Sequence, residues 1–235
     1  MRYKAILFDM DGTLLPMNVD DFTKGYFKML CKKMCPIADI DPELNVKGIW
    51  AGVKLMVLND GSRKNVEAFW EGYEKVTGVK REVVEDICER FYGEEFLEAK
   101  VFTDENPFAV KAVELAHQKA DKVVLATNPL FPLVAQKSRM SFVGLKEEDF
   151  DLVTAYEEER YAKPNPKYYV SILDRIGYKA EECLMIGNDV DEDMLPAMSV
   201  GLDTYLITDN MITGKEEYTG KQGSFKDLVE YLESL

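Results

Sequence analysis

Residues Ile6 to Leu15 read ILFDMDGTLL, an apolar run that ends on two aspartates one residue apart and turns away at once through Gly12 and Thr13. Two carboxylates side by side at the tip of a buried strand repel each other unless a cation or a shared proton relieves the repulsion. The rest of the chain therefore has to be read for what supplies that relief. Working outward, KAILF at 4–8, KVVLAT at 122–127, DLVTA at 151–155, CLMIG at 183–187 and TYLI at 204–207 are short and almost continuously apolar. Parallel strands covered on both faces have this pattern, whereas half-exposed strands alternate. Amphipathic stretches separate them: Pro107 to Ala120, Pro129 to Met140, Pro166 to Ile176 ended by Gly177, Asp191 to Met198, and SFKDLVEYLESL with Ser224 as N-cap. Strand alternating with helix predicts an α/β fold, a doubly wound, Rossmann-like parallel sheet.

One segment interrupts the alternation. Between Met17 and Lys100 there is no continuous apolar strand run, and DDFTKGYFKMLCKKM, NVKGIWAGVKLMVLND, RKNVEAFWEGYEKVTG and REVVEDICERFYGEEFLEA all carry helical spacing. The expected organisation is a core of residues 1–16 and 101–235 with an inserted all-α cap domain of residues 17–100. Trp50, Met56, Phe69, Trp70 and Phe91 are expected to fill the core of that insert. The connections near Leu15 to Asn18 and Lys100 to Glu105 are expected to act as its hinges.

Composition narrows the function. Of 235 residues, 46% are hydrophobic and 31% charged, the balance of an ordinary globular protein. Twenty-nine basic against 43 acidic side chains leave a net charge of −14, which repels nucleic acid and anionic lipid surfaces. The apolar run before Asp9 is too short for a signal-peptide core, and no stretch approaches the ~20 apolar residues of a membrane span, so a cytoplasmic protein without membrane or nucleic-acid partners is expected. Cys31, Cys35, Cys88 and Cys183 lack C-x-x-C spacing and are expected as reduced, buried thiols. The single histidine, His117, lies in the helix-like VELAHQKA, which leaves acid–base work to carboxylates.

The strand ends of a doubly wound sheet gather at one carboxyl-edge crevice. Asp9 and Asp11 follow the first strand, Thr127 and Asn128 the second in LATNP, Lys163 precedes the fourth in RYAKPNP, and the fourth runs into GNDVDED. Each alone is ordinary loop chemistry. Together, on one edge, they make a site of two carboxylates, a hydroxyl, an amide, a lysine and a second acidic cluster.

DMDGTL, LATN, AKPNP and IGNDVDED, in that order, resemble the four motifs of the haloacid dehalogenase-like (HAD) superfamily, and the helical insert after the first motif looks like that family's C1 cap. The resemblance implies a Mg2+-dependent phosphatase acting on a small phosphorylated metabolite through an aspartyl-phosphate. It implies Asp9 as nucleophile and metal ligand, and Asp11 as general acid and base with its carbonyl on the metal. Thr127, Asn128 and Met10 would contact the phosphoryl group, and Lys163 would neutralise charge between that group and Asp9. Thr13 would support the turn. In the fourth motif relatives read Gly-Asp, whereas here Gly187 is followed by Asn188 and then Asp189; either register of metal ligation is open, and both residues are expected to contribute. Asp193 would stand behind them, anchoring Lys163 or a metal-bound water. Because dehalogenase members lack the second aspartate, Asp11 favours phosphoryl transfer. A phosphomutase, gripping a second phosphate with Lys24, Lys47, Lys54, Arg63 or Lys64, and a binding or regulatory protein without turnover are the alternatives. A monomer or weak homodimer is expected.

Overall fold

The computed structural model describes residues 2–235; Met1, the first residue of the expected core, lies outside them. Six strands, β1 (Ala5–Phe8), β2 (Lys122–Leu125), β3 (Leu152–Val153), β4 (Cys183–Gly187), β5 (Asp203–Ile207) and β6 (Lys221–Gly223), form one sheet in the order β3-β2-β1-β4-β5-β6, with every pairing parallel. The central strand β1 is buried throughout. Its side chains alternate between two cores: Ile6 and Phe8 join Leu125 and Ile186 on one face, while Ala5 and Leu7 join Val124 and Met185 on the other. Burial on both faces explains why the strand reads as an unbroken apolar run.

Helices cover both faces. Helices α5 (Ala109–Lys119) and α9 (Phe225–Ser234) bury Ala112, Val113, Leu228 and Leu232 in the first core, and α7 (Pro166–Ile176) and α8 (Leu195–Ser199) bury Tyr168, Ile172 and Ala197 in the second. Asn165 caps α7 by accepting from the Lys167 amide at 3.0 Å, Pro166 opens it, and Gly177 ends it in the left-handed conformation. One expectation is corrected and one strand was not expected. The helix expected over Asp191 to Met198 is a wider π-turn, Val190–Met194, running into α8. The strand β6 has no apolar signature because it is an edge strand whose Lys221 and Gln222 side chains face solvent.

Between β1 and α5 the chain forms α1 (Val19–Ala38), α2 (Pro42–Val57), α3 (Asn65–Thr77), α4 (Arg81–Gly93) and a 3-10 stretch, Glu95–Phe102. Asn18 and Asp41 cap α1 and α2 through their side-chain oxygens, each on a strand-like backbone. The chain leaves and re-enters the sheet layer side by side: the Asp104 amide donates to Pro16 O at 2.8 Å, and Met17 bridges Thr103. Beyond that junction the first turn of α3 is tied to the loop after β3, with Asn65 N on Glu159 O at 2.8 Å and Val66 N on Tyr156 O at 2.9 Å.

Among the described residues no helix is long and apolar enough to cross a membrane.

Candidate active site

Register brings the strand ends level. Phe8 pairs with Leu125 on one side and Ile186 on the other, so Asp9, the Thr127–Asn128 pair and Asn188 emerge together at the carboxyl edge. Asp9 continues the strand by donating its amide to Ile186 O at 2.8 Å. The chain then doubles back, with the Thr13 and Leu15 amides both on Met10 O and the Gly12 amide on Leu15 O. Gly12 sits at φ 79°, and a Cβ there would lie 2.2 Å from the Asn188 amide nitrogen, so both backbone conformation and space require glycine.

At the floor of the site, Lys163 answers the question posed by the paired aspartates. Its ammonium, 1% exposed, donates to Asp9 Oδ1 at 2.7 Å and to Asp193 Oδ1 at 2.5 Å. Burial opposes its charge, but Asp193 and then Asp9 outweigh burial and hold its pKa well above the ordinary lysine value. The other Asp193 oxygen accepts from the Asn188 and Asp189 amides, both at 3.1 Å. Gly187 makes room for this: a Cβ there would lie 2.3 Å from Asp193 Oδ2. Burial, then Asp9, push the Asp193 carboxyl up against the pull of Lys163. Of the two supporting roles expected for Asp193, the geometry shows the one on Lys163.

The fourth-motif residues divide. The side chain of Asn188 is engaged at both ends, its oxygen accepting from Thr13 Oγ1 at 3.1 Å and its nitrogen donating to Asn210 O at 2.7 Å. Asp189 uses one carboxylate oxygen to cap the following turn through the Glu192 amide at 2.9 Å; burial raises its pKa, with that hydrogen bond opposing. Asn128 is also engaged: its amide nitrogen donates to Glu192 Oε2 at 2.9 Å and its oxygen accepts from the Lys163 amide at 3.2 Å. Thr127 is held through its carbonyl, which accepts from Thr154 Oγ1 at 2.7 Å and Tyr168 Oη at 2.8 Å.

Three residues beyond the expected set join the site. Arg139 on α6 (Leu133–Phe142) is fully buried, pairs through Nη1 with Asp11 Oδ2, donates through Nη2 to Gln136 Oε1, and lies with its Cζ 4.2 Å from the centre of the Phe131 ring. Asp11 Oδ1 is buried without a hydrogen-bond partner among the described residues. Burial raises the Asp11 pKa, Arg139 opposing and Asp9 adding to the rise. Glu192 is the third, its carboxyl raised by burial with Lys163 opposing. The Gln136–Arg139 spacing, i and i+3 on one face of a helix that opens just after LATNP, is the sequence signal for the first two.

The donor set fits Mg2+. Asp9 has an oxygen that Lys163 does not hold, Asp189 has one that does not cap the turn, and the Asp11 carbonyl accepts no backbone hydrogen bond among the described residues. These are hard oxygens. No three His, Cys, Asp or Glu side chains form a cage among the described residues, which suits an ion that keeps several waters and takes only one or two carboxylates.

Over this floor lies a cavity of about 360 Å3, roofed by α1 to α4 and the loop after β2. Of the aromatic and methionine side chains expected to fill the insert, Met56 and Phe91 are fully buried. Trp70 is buried in the core and also borders the cavity, whereas Phe69 is only partly buried and lines it with Trp50, which is 51% exposed. The helical period that put these residues on an inner face does not distinguish a filled core from a pocket wall. The four cysteines are free thiols, three buried and Cys88 half-buried. His117 is exposed, with Nε2 2.9 Å from Asp149 O.

A protein-family model described as haloacid dehalogenase-like hydrolase matches residues 3–201. The glyceraldehyde 3-phosphate phosphatase of Methanopyrus kandleri is 24% identical over 208 residues, 87% of this chain and 83% of that protein. A shorter match at 28% identity, to the enzyme of the same name in Methanothermobacter thermautotrophicus, covers 37% of this chain and 38% of that protein. Among solved structures, a HAD phosphatase from Thermococcus onnurineus superposes with a TM-score of 0.61 at 20% identity, covering 97% of both chains. The HAD-hydrolase YfnB of Bacillus subtilis, solved bound to magnesium, gives 0.59 at 19% identity over 99% of both.

Proposed function

The chain belongs to the haloacid dehalogenase-like hydrolase family, and we propose that within it the protein is a phosphoric monoester hydrolase that passes the phosphoryl group of a small metabolite to Asp9 and then to water. The observation that carries this reading is the row Asp9, Lys163, Asp193 on the cavity floor with Asp11 beside it.

Asp9 attacks phosphorus through one carboxylate oxygen while the other stays on the charge that balances it, and the bond from phosphorus to the ester oxygen breaks. Asp11 gives that oxygen its proton. Oδ1, the oxygen Arg139 does not hold, carries the proton, and burial, which raises the Asp11 pKa, favours the protonated form at the start of the cycle. A water then attacks phosphorus, Asp11 takes the water's proton, and the bond to Asp9 breaks to release inorganic phosphate. Lys163 offsets the charge that accumulates between Asp9 and the phosphoryl oxygens, while the Thr127 hydroxyl and the main-chain amides at Asn128 and Met10 are the donors at hand for those oxygens. Asp9, the Asp11 carbonyl and Asp189 would hold Mg2+, which supplies the positive charge that lets a carboxylate approach a phosphate dianion. Asn188, fixed by Thr13 and Asn210, keeps the loop that carries Asp189 in place. Residues 17–100 act as a cap over the cavity, hinged where Pro16–Met17 meets Thr103–Asp104, and exclude bulk water from the first step.

Two observations favour this reading over its alternatives. None of Lys24, Lys47, Lys54, Arg63 and Lys64, the candidates for the second phosphate grip of a mutase, lines the cavity. The complete set of acid, base and nucleophile speaks against a binding protein without turnover. Phosphate release from a metabolite panel with and without Mg2+ tests the proposal. Wild type is expected to release phosphate only with the metal, and Asp9→Asn to keep its fold and lose turnover, since the amide is nearly isosteric but a far weaker nucleophile. Full activity in excess chelator, or Asp9→Asn activity within about tenfold of wild type, would remove the mechanism.

A further inference from the structure

We propose that the ester cleaved here is the monophosphate of an uncharged, predominantly apolar alcohol; this rests on the phosphatase reading above and adds to it the identity of the leaving group. The cavity has two unlike ends. Asp9, Asp11, Thr127, Asn128, Asp189 and Glu192 make the polar end, where one phosphoryl group belongs. The remaining wall is built by side chains such as Phe27, Leu30, Ile49, Trp50, Phe69 and Phe131, with tyrosine and threonine hydroxyls as its main polar points. Among the described residues no Lys, Arg or His side chain lines the apolar wall; Lys163 and Arg139 stand at the polar end, committed to Asp9, Asp193 and Asp11.

That wall discriminates by charge. A second phosphate or a carboxylate on the leaving group would enter a space whose apolar wall offers no counter-ion, in a chain of net charge −14. Burying such an anion unpaired is strongly unfavourable. The insert cations named as candidate phosphate grips do not line the cavity: Lys24, Lys47 and Lys54 are exposed, Arg63 is paired with Glu71, and Lys64 with Glu158. A polyol fares little better, because each hydroxyl that leaves water needs a partner. An apolar group, by contrast, gains from every carbon it buries. The volume, about 360 Å3, is at the lower end of what pockets for drug-sized ligands offer, and aromatic side chains prevail on the wall, which favours a ring or a compact chain. Trp50, half in solvent and half on the wall, stands where such a group would enter.

The test is a homologous series of straight-chain alkyl phosphates from ethyl to hexyl, assayed with Mg2+, because the leaving-group chemistry is nearly constant along it while the buried area grows. The expected result is a kcat/KM that climbs about fourfold per methylene until the cavity is full, with benzyl phosphate among the better substrates. Trp50→Ala should flatten that slope. A flat or falling series, or a bisphosphate or carboxylate-bearing ester that outruns hexyl phosphate, overturns the inference and leaves the phosphatase reading standing. If neither the series nor p-nitrophenyl phosphate is turned over, the phosphatase reading fails instead. Binding of n-alkylphosphonates to the wild-type protein, followed by tryptophan fluorescence, then decides the inference by itself: affinity that rises with chain length supports it, and affinity indifferent to chain length ends it.

Discussion

Replacing Lys163 by methionine keeps the length and apolar stem of the side chain and deletes only the charge, so it isolates what the ammonium contributes. In the wild type that ammonium is 1% exposed and lies 2.7 Å from Asp9 and 2.5 Å from Asp193, whose own side chains are 10% and 2% exposed. Without it, two nearly buried carboxylates face each other with no cation. Asp193 keeps its two backbone donors and is thereby partly compensated, whereas Asp9 loses its one charged partner. Removing one member of a buried ion pair costs about 3–5 kcal/mol. In a chain of this size each kcal/mol moves the melting midpoint by about 2–4 °C, so a fall of about 10 °C is expected at pH 8. The pH dependence follows from the sign of the shifts. With the cation gone, the Asp193 carboxyl, which burial and then Asp9 already push up against the pull of Lys163, has a folded-state pKa raised further above its unfolded one. A group raised in this way is best tolerated below its unfolded pKa, and stability is lost as pH rises through the folded pKa. The deficit should therefore be smaller at pH 5 than at pH 8. Asp193→Asn in the Lys163→Met background should recover part of it, since one of the two unpaired charges is then absent. Thermal melts by circular dichroism of the four proteins of this cycle at both pH values provide the measurement. A Lys163→Met midpoint within about 2 °C of wild type at pH 8, or the same loss at both pH values, would show that Lys163 is not the counter-charge that allows Asp9 to be buried.

Arg139→Leu removes the group that pairs with Asp11 and leaves an apolar side chain against Phe131; kcat on an alkyl phosphate should fall about a hundredfold, while p-nitrophenyl phosphate, whose phenolate leaves without a proton, should lose far less. Equal losses on both esters would mean that Arg139 acts on the fold and not on Asp11. Asp189→Ala should raise the Mg2+ concentration for half-maximal activity about tenfold or more, and Asn188→Ala, which loosens a loop, should raise it less; titration of activity with Mg2+ measures both, and the reverse order would make Asn188 the ligand. Calcium, larger and looser in its oxygen shell, should compete with Mg2+ and inhibit, and a chelator should stop phosphate release until Mg2+ is returned.

The fold was legible in the sequence because its signals are local. The continuous apolar runs at 4–8, 122–127, 183–187 and 204–207 follow from burial on both sheet faces, and the capped helices announce themselves through Ser224 and Gly177. Much of the site was legible for a related reason: in a parallel sheet every strand ends at one edge, so motifs that follow strands must meet. Asp9, Asp11, Thr127, Asn128, Lys163 and the Asn188–Asp189 pair do come together there. What pairs across space without a local period stayed hidden. Arg139 meets Asp11 across 128 positions of sequence, and its i, i+3 spacing from Gln136 places the two on one helix face without saying that they pair with each other or with Asp11. The engagement of Asn188 by Thr13 and Asn210, and of Asn128 by Glu192, depends on which loop packs on which, and not on residue type. The edge strand β6 went unseen because exposed strands carry no apolar run. Only the tertiary structure separated core from cavity: an inward-facing Phe69 or Trp50 has the same helical phase whether another side chain or a substrate fills the space before it, and that choice rests on the distance between α1 to α4 and the sheet edge.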